Sequence, residues 1–476
     1  MKKNDLLANS LAGLPEDVSV KDFVCRDHSI ELIVDWPIPG KWKRICPHCQ
    51  NTHCTIKDRS TSQTIRHTPS GFRAVFLTYD KPRCFCPECR RSFYLYPEWA
   101  VPRISMSTSL LVRIYKLLTS TVHNITEIAR ETRTTPAVVQ HVMDKLPADK
   151  PSCLPETLGI DEFHGDTGYY DKGIKRYRTE KYHCVIVDVD AHAVTDILLK
   201  PTYGVLKAYF MEYPPYKRRH VKYFCADMRS GFSRVARECF PKARICIDPF
   251  HVLKLLTEAV SEVRIEEWRA LRDQWAAAMA EAKACTDPSI KEELVSRACD
   301  LENDYRLIKN SQRLLITSPY NDGCYWNIHE DEGQERKEKI FLLCPSLKAP
   351  YDALMEFYDI TSLATPSEKV PALNGWINTY RDSDCPALRR SVHSIETHKR
   401  GIVNAWKYLK SNAHTESLNR DIKNVRRFAF GAHKFENFRK RVLLACGSVK
   451  FIDDPISIFK EKRSSKDSGK GGEADG

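Results

Sequence analysis

Between Thr157 and Cys246 several short runs carry a strand signature: TLGIDEF, YHCVIVDVD, AVTDILL, KYFCADM and ARICID. Each is rich in β-branched or aromatic residues. A helical pattern follows ARICID directly, and strands alternating with helices predict a mixed α/β sheet. From Leu253 to about Ala284 the residues Leu256, Val260, Val263, Leu271 and Trp275 recur near one stripe, as on a long amphipathic helix. Helix-compatible segments continue to about Lys410, and a basic, helix-rich stretch runs from Thr415 to Val449.

Upstream the periodicity differs. Residues 1 to about 100 hold short strand-like runs, charged residues and clustered cysteines; from Ser105 to Lys145 the pattern is helical. The proline-marked stretch PADKPSCLP, 147–155, reads as a linker, and the end, KRSSKDSGKGGEADG, as a disordered tail. No internal repeat is visible.

At 476 residues two to four domains are expected. The balance of 74 basic against 62 acidic residues, +12, favours a polyanionic partner. The opening MKKNDLLANSLAGL lacks the sustained apolar core of a signal peptide, and no run of about 18 apolar residues could span a membrane. Eighteen cysteines without such a signal point to reduced thiols in a cytoplasm, some of them on metal.

Cys46-Pro-His-Cys49 and Cys86-Pro-Glu-Cys89 are two CxxC turns. Two such turns can complete a closed tetrahedral Zn²⁺ site, which leaves no position for substrate and is therefore structural. Cys54, Cys84, His48 and His53 are alternative ligands, and buried free cysteines are the non-metal alternative. Beyond them, ITEIARETRTTPAVVQHVMDKL, 125–146, reads as two helices joined by a tight turn, with Thr134 or Thr135 as cap and Pro136 at the first helical position. In a DNA-reading helix-turn-helix the second helix enters the major groove, which makes Thr135, Gln140 and His141 the groove-facing candidates. An ordinary helical hairpin is the competing interpretation.

Three acidic residues stand out. Asp161 in LGIDEFHG and Asp227 in YFCADMRSG sit where strand-like runs end, and Glu416 lies in NAHTESLNRDIKNVRRFAFG. Asp161 and Glu162 point to opposite faces of a strand, so only one can enter a shared site. Asp248, with His251 in DPFH, rivals Asp227 or else caps the following helix. On a helix Glu416, Arg420, Lys423 and Arg427 share one stripe, suited to a metal-bound phosphate with its neighbours held alongside, or to a solvated face of salt bridges. Carboxylates gathered from two strands and a distant helix are what paired Mg²⁺ or Mn²⁺ ions need for phosphoryl transfer. No nucleophile elbow or P-loop is present, which removes serine hydrolase and Walker-type ATPase readings.

The order CPxC…CPxC, helix-turn-helix, GIDEF, strand-end Asp, DPFH and TExxNxxIKxxxRxAxG resembles the bacterial ISL3 insertion-sequence transposases over about residues 40–450. The resemblance implies an α/β ribonuclease-H-like core with a triad at Asp161, Asp227 and Glu416, Asp248 and His251 being accessory, and it favours Asp227 over Asp248 as metal ligand. It implies a zinc-binding domain (1–100), a helix-turn-helix domain (101–150), a first core part (155–252), a helical insertion (253–410), a final core helix (411–455) and a tail (456–476). Departures are modest: His164 and Asp166 stand where a more basic stretch is expected, and NAHTES replaces a glycine-bearing version.

The function expected is binding of terminal inverted repeats followed by cleavage and strand transfer. Double-stranded DNA, both transposon ends and target, would be the partner; synapsis of two ends implies a homo-oligomer, associated with a bacterial nucleoid. A zinc and helix-turn-helix regulator with a vestigial core, and a metal nuclease without strand transfer, are the alternatives.

Overall fold

The computed structural model describes residues 13–447, apart from 15–17, 41–43, 59–60, 102–103, 147, 172, 321–329 and 429–433; the side chains of residues 230, 330, 331, 413, 414, 416 and 428 also lie outside the description. The expected tail, 456–476, is among the residues not described.

The first part contains β1 (Ser19–Cys25), β2 (Ser29–Asp35), β3 (Thr55–Asp58), β4 (Ser62–Ser70), β5 (Arg73–Asp80), β6 (Arg83–Phe85), β7 (Ser92–Tyr94), β8 (Ala100–Val101) and β9 (Met106–Ser107). They form a six-stranded sheet, β1-β2-β5-β4-β9-β8, and a small one, β3-β6-β7. In β5 the period-two pattern buries Val75, Leu77 and Tyr79 against Val34, Ile65 and Trp99. Helices α1 (Thr108–Leu118), α2 (Ile125–Glu131) and α3 (Pro136–Lys145) follow. Asn124 and Glu127 make a capping box on α2; Thr135 caps α3 by accepting from the Val138 amide, with Pro136 in its first turn. The three helices share a core built on Leu110, Leu111, Ile114, Ile128, Val139 and Val142.

A second sheet is made of β10 (Thr157–Asp171), β11 (Arg176–Asp188), β12 (Ala193–Leu198), β13 (Tyr223–Ala226) and β14 (Arg244–Ile247), in the order β12-β11-β10-β13-β14. The first three are antiparallel, and β13 and β14 run parallel to β10. All five expected strands are present. The first two are longer than their apolar runs, so Asp161 lies inside β10, paired with Val185, rather than at a strand end. Between the strands run α4 (Tyr203–Met211), α5 (Pro215–Arg218) and α6 (Ser230–Cys239). Leu206, Phe210 and Phe232 from α4 and α6 cover one face of this sheet, packing on Ile160, Ile186 and Phe224.

The chain then becomes helical: α7 (Pro249–Ala284), α8 (Pro288–Asn310), α9 (Gln312–Ile316), α10 (Glu330–Leu343), α11 (Lys348–Ser362), α12 (Pro366–Tyr380) and α13 (Pro386–Tyr408). Their shared core includes Leu256, Val260, Leu354, Phe357, Trp376 and Ile395. Helix α13 returns to the sheet, where Asn404 Nδ2 donates to the Ile245 carbonyl of β14 at 2.9 Å. The last helices are α14 (Ala413–Phe428) and α15 (Phe435–Cys446). They cover the other face of the sheet, placing Leu418, Ile422 and Phe438 on Val185, Val187, Cys225 and Cys246.

Helix α15 also ties the helix-turn-helix to this sheet. Arg441 donates to the Ser120 and His123 carbonyls just past α1, and Lys440 donates to the Asp144 carbonyl in the last turn of α3. Arg439 bonds both the Ala148 carbonyl and buried Asp196 of β12. Cations at helix C-termini meet unpaired carbonyls and the negative end of the helix dipole.

Candidate catalytic carboxylates and metal centre

Sheet register aligns the acidic residues. Gly159 of β10 pairs with Cys225 of β13, which pairs with Cys246 of β14. Two residues further along stand Asp161, inside β10, and Asp227 and Asp248, each just past the end of its strand. Side chains two apart share a face, so all three aspartates belong to the face covered by α14 and α15. Asp161 carries the electrostatic mark of this crowding: burial pushes its carboxyl above the usual value, and the Asp227 charge adds to the rise. The Glu162 amide, His251 and Asn419 oppose it.

Each carboxylate is held by a different device. Asp161 Oδ1 accepts from the Glu162 amide at 2.8 Å and Oδ2 from Asn419 Nδ2 at 2.7 Å. Asp227, nearly buried, accepts from the Arg229 amide at 2.9 Å and meets Arg229 Nε at 3.0 Å. The same Arg229 pairs with Glu162, the neighbour of Asp161 on the opposite strand face. Asp248 is buried and caps α7 through the Phe250 amide at 3.0 Å. His251, in the first turn of α7, is close enough to act on the Asp161 charge.

Helix α14 docks on β10 at its N-terminal end. Asn412 Nδ2 donates to the Ile160 carbonyl at 3.0 Å, and Thr415 Oγ1 donates to Asn412 Oδ1 at 2.6 Å. Gly159 makes this approach possible, since a Cβ there would lie 2.6 Å from Asn412 Oδ1. Position 416 is in α14, four residues beyond Asn412 and three before Asn419; the Glu416 side chain lies outside the described residues. Arg420, Lys423 and Arg427 are exposed along the outer face of the helix. His164 and Asp166, the departures from a basic stretch, are both held by Arg426, whose NH2 group reaches Asp166 at 2.8 Å.

The cysteines assemble as their spacing predicts. The sulfurs of Cys46, Cys49, Cys86 and Cys89 lie within 4.8 Å of one another. Both turns have the same form, with the residue after the second cysteine left-handed: Gln50 at φ 63° and Arg90 at φ 54°. In both, the first cysteine's amide bonds a carbonyl five residues on, Asn51 or Arg91. The Cys89 amide, foremost among several donors, lowers the Cys86 thiol to about 6, whereas Cys49 is pushed up to about 12. The Asn51 amide favours the Cys49 thiolate, but burial and the neighbouring sulfurs outweigh it. Cys86 thus takes the charge far more readily than Cys49, and four sulfurs this close suit a dication that would ionise them all. Cys54 directs its sulfur to the Asn51 carbonyl instead.

A transposase family model, that of the ISL3 DDE enzymes, matches residues 158–442. A second, described as the zinc-finger of the IS204/IS1001/IS1096/IS1165 transposases, matches 42–89. The chain belongs to the ISL3 transposase family. It is 22% identical over 432 residues to the transposase for insertion sequence element IS1001 of Bordetella parapertussis, spanning 87% of this chain and 94% of that one. It is 25% identical over 281 residues to the transposase for IS1557 of Mycobacterium tuberculosis, spanning 58% and 56%. Function as a transposase and a structural zinc ribbon follow.

In this transposase the groove-facing candidates of the helix-turn-helix stay at the surface. Thr135 and His141 are exposed, and partly buried Gln140 donates to Asp144 Oδ1 at 2.7 Å. No described helix is long and apolar enough to cross a membrane. The sequence reading assigned no role to Asn419, Arg229 or Arg426. Asn419 stands in the TExxN segment, three residues past the glutamate, a position that could have drawn attention; nothing comparable marks the two arginines.

Proposed function

We propose that this transposase binds the terminal inverted repeats of its element and carries out divalent-metal-dependent strand cleavage and strand transfer, with Asp161, Asp227 and Glu416 as the metal-binding triad. What carries this reading is the aspartate row in register, with a helix fastened across it by Asn412 and Asn419 on either side of position 416. By helical phase that position falls beside both asparagines.

The antiparallel-then-parallel sheet suits a ribonuclease-H-like core, with 155–252 as its first part, 253–410 as a helical insertion and 411–455 as its closing helices. Zinc-binding (1–100) and helix-turn-helix (101–150) domains precede it. Mg²⁺ or Mn²⁺ bound at the triad would neutralise phosphate charge and lower the pKa of the attacking water or 3′-hydroxyl. The chain's own part is orientation. Asn419 fixes the Asp161 carboxylate, and Arg229 fixes Asp227 while also pairing with Glu162. Asp248 serves by capping the helix that presents His251 at the rim, which supports Asp227 as the second ligand. Arg420, Lys423 and Arg427 line the exposed face of α14 for flanking phosphates, and Thr135, Gln140 and His141 read the end sequence. Two ends held together would need at least two copies of the chain.

The test is 3′-end cleavage and strand transfer by Asp161→Asn and Glu416→Gln. Both activities should fall to background with end binding retained; undiminished activity in either variant overturns the triad.

A further inference from the structure

Strands β10 and β11 run far past the sheet that contains them. Strand β13 pairs only with 157–159 of β10, and β12 only with 184–188 of β11. From His164↔Tyr182 to Asp171↔Arg176 the two strands, among the described residues, pair only with each other, apart from a bridge at Gly168↔Lys434. At about 3.3 Å per residue this is a free two-stranded ribbon roughly 25 Å long. It begins three residues after Asp161.

Its side chains are selectively neutralised. Each of its acids is engaged: Asp166 with Arg426 at 2.8 Å, Asp171 with Arg178 at 3.7 Å, and Glu180 with Lys200 at 3.3 Å. Lys175, Arg176 and Lys181 have no acidic partner among the described residues. Tyrosines are interleaved with them and stand in water: Tyr170 is 50% exposed, Tyr177 67% and Tyr182 42%. Tyr170 and Tyr177 are cross-strand partners, edge to face at 5.3 Å. On β11, Tyr177 lies eight residues before Val185, the partner of Asp161, so by strand alternation it shares the carboxylate side. Exposed aromatics interleaved with cations that lack acidic partners suit a polyanion, and the ribbon's width fits the major groove of a duplex, which admits two paired strands.

We propose that this β-ribbon, 164–182, is a second DNA-binding element, separate from the helix-turn-helix, that holds the duplex beside the scissile phosphate. Lys175, Arg176 and Lys181 contact phosphates, and Tyr170 and Tyr177 pack on the sugar and base edges. The inference rests on the transposase reading above, but its test needs no chemistry.

Binding of the full-length chain to a mixed-sequence DNA duplex is measured without divalent metal, by fluorescence anisotropy, between about 50 and 200 mM salt. For K175E/R176E/K181E the slope of log K against log salt should become shallower by about 2–3, since each lost phosphate contact removes about 0.9. Y170A/Y177A, which keeps every cation, should bind about tenfold more weakly with the slope unchanged. A second variant, K175R/K181R, should match the wild type. An unchanged slope in the triple variant overturns the proposal. So does a triple variant that loses self-association while its DNA slope stays put, because the ribbon would then serve a second copy of the chain. Should the triple variant fail to fold, the tyrosine pair decides alone, and wild-type affinity there overturns the proposal. Asp161→Asn should keep the wild-type slope whether or not it cleaves, so a failed triad and a failed ribbon give different results.

Discussion

Asn419 Nδ2 donates to Asp161 Oδ2 at 2.7 Å, joining two residues 258 positions apart. The bond fixes the carboxylate's rotation and at the same time sets the axial position of α14, whose residue 416 lies one turn away. Asn419→Ala removes both effects without touching a metal ligand. Loss of an orienting partner of this kind reduces metal-dependent activity by about 10–100-fold. Single-turnover end cleavage across a metal titration should show that loss together with a raised metal requirement, while end binding is unchanged. Asn419→Asp should be worse, because it sets a second negative charge against a carboxyl already raised by burial and by Asp227. A wild-type metal requirement in Asn419→Ala would show that Asp161 is oriented by something else.

The four-sulfur cluster makes a stoichiometric prediction. Purified protein should contain one zinc per chain by elemental analysis, and Cys86→Ser, which removes the thiol most readily ionised, should contain almost none. Chelation should make Cys46, Cys49, Cys86 and Cys89 react together with a thiol reagent, since the cage opens as a unit. The small sheet that carries them should lose its cooperative melting transition, with the sheet β12-β11-β10-β13-β14 unaffected. Zinc-free protein with an unaltered transition would contradict a structural role.

Arg441 is buried and has no acidic partner among the described residues, and desolvation pulls its guanidinium down to about 10. It nevertheless satisfies two carbonyls past the end of α1. Arg441→Ala strands both, at about 1–3 kcal/mol apiece, and should free the helix-turn-helix from α15. Limited proteolysis should then cut within 119–124 faster than in the wild type, and DNA ends should be cleaved at scattered rather than fixed positions. Because the charge itself is costly to bury, Arg441→Gln should recover part of the stability. Uniform cutting by Arg441→Ala would mean that the connection does not set the distance between recognition and cleavage.

Much of this architecture was legible because it rests on local rules. The five strands follow from apolar runs, the α3 cap from Thr135 and Pro136, and the metal cluster from two CxxC spacings. The ribbon was not legible: HGDTGYYDKGIKRYRTEKY shows no alternation of apolar and polar residues, because past Gly165 and Thr167 its described residues are not buried and its strands are held by their mutual pairing. Asp161 was misplaced at a strand end for the same reason. The tether between α14 and β10 escaped as well. It depends on the absence of a side chain at Gly159 as much as on Asn412 and Asn419, and no spacing within either segment reveals that the two meet.

His183 supplies a prediction about pH. It is fully buried among Phe163, Phe435 and Phe438, and both ring nitrogens are committed. Nδ1 must donate to the Leu199 carbonyl, at 2.8 Å, which leaves Nε2 to accept from the Thr167 hydroxyl, also at 2.8 Å. Burial drives its pKa below the ordinary 6.5; the Leu199 carbonyl, Glu180 and Asp166 oppose the shift, and Arg426 adds to it. A base whose pKa is lower folded than unfolded gives stability that is complete above pH 6.5 and is lost as pH falls, because the unfolded chain takes up the proton first. The loss is at most about 1.4 kcal/mol per pH unit and ends at the folded pKa. Between pH 6.5 and 5 the unfolding free energy of the wild type should therefore decline, and His183→Gln, which can still donate to Leu199, should flatten that decline at some cost in stability at pH 7. Asp190, whose carboxyl is held low, titrates beneath this window, and Asp161, raised by burial, changes stability in the opposite sense. Equal slopes in the two proteins would place the pH sensitivity elsewhere.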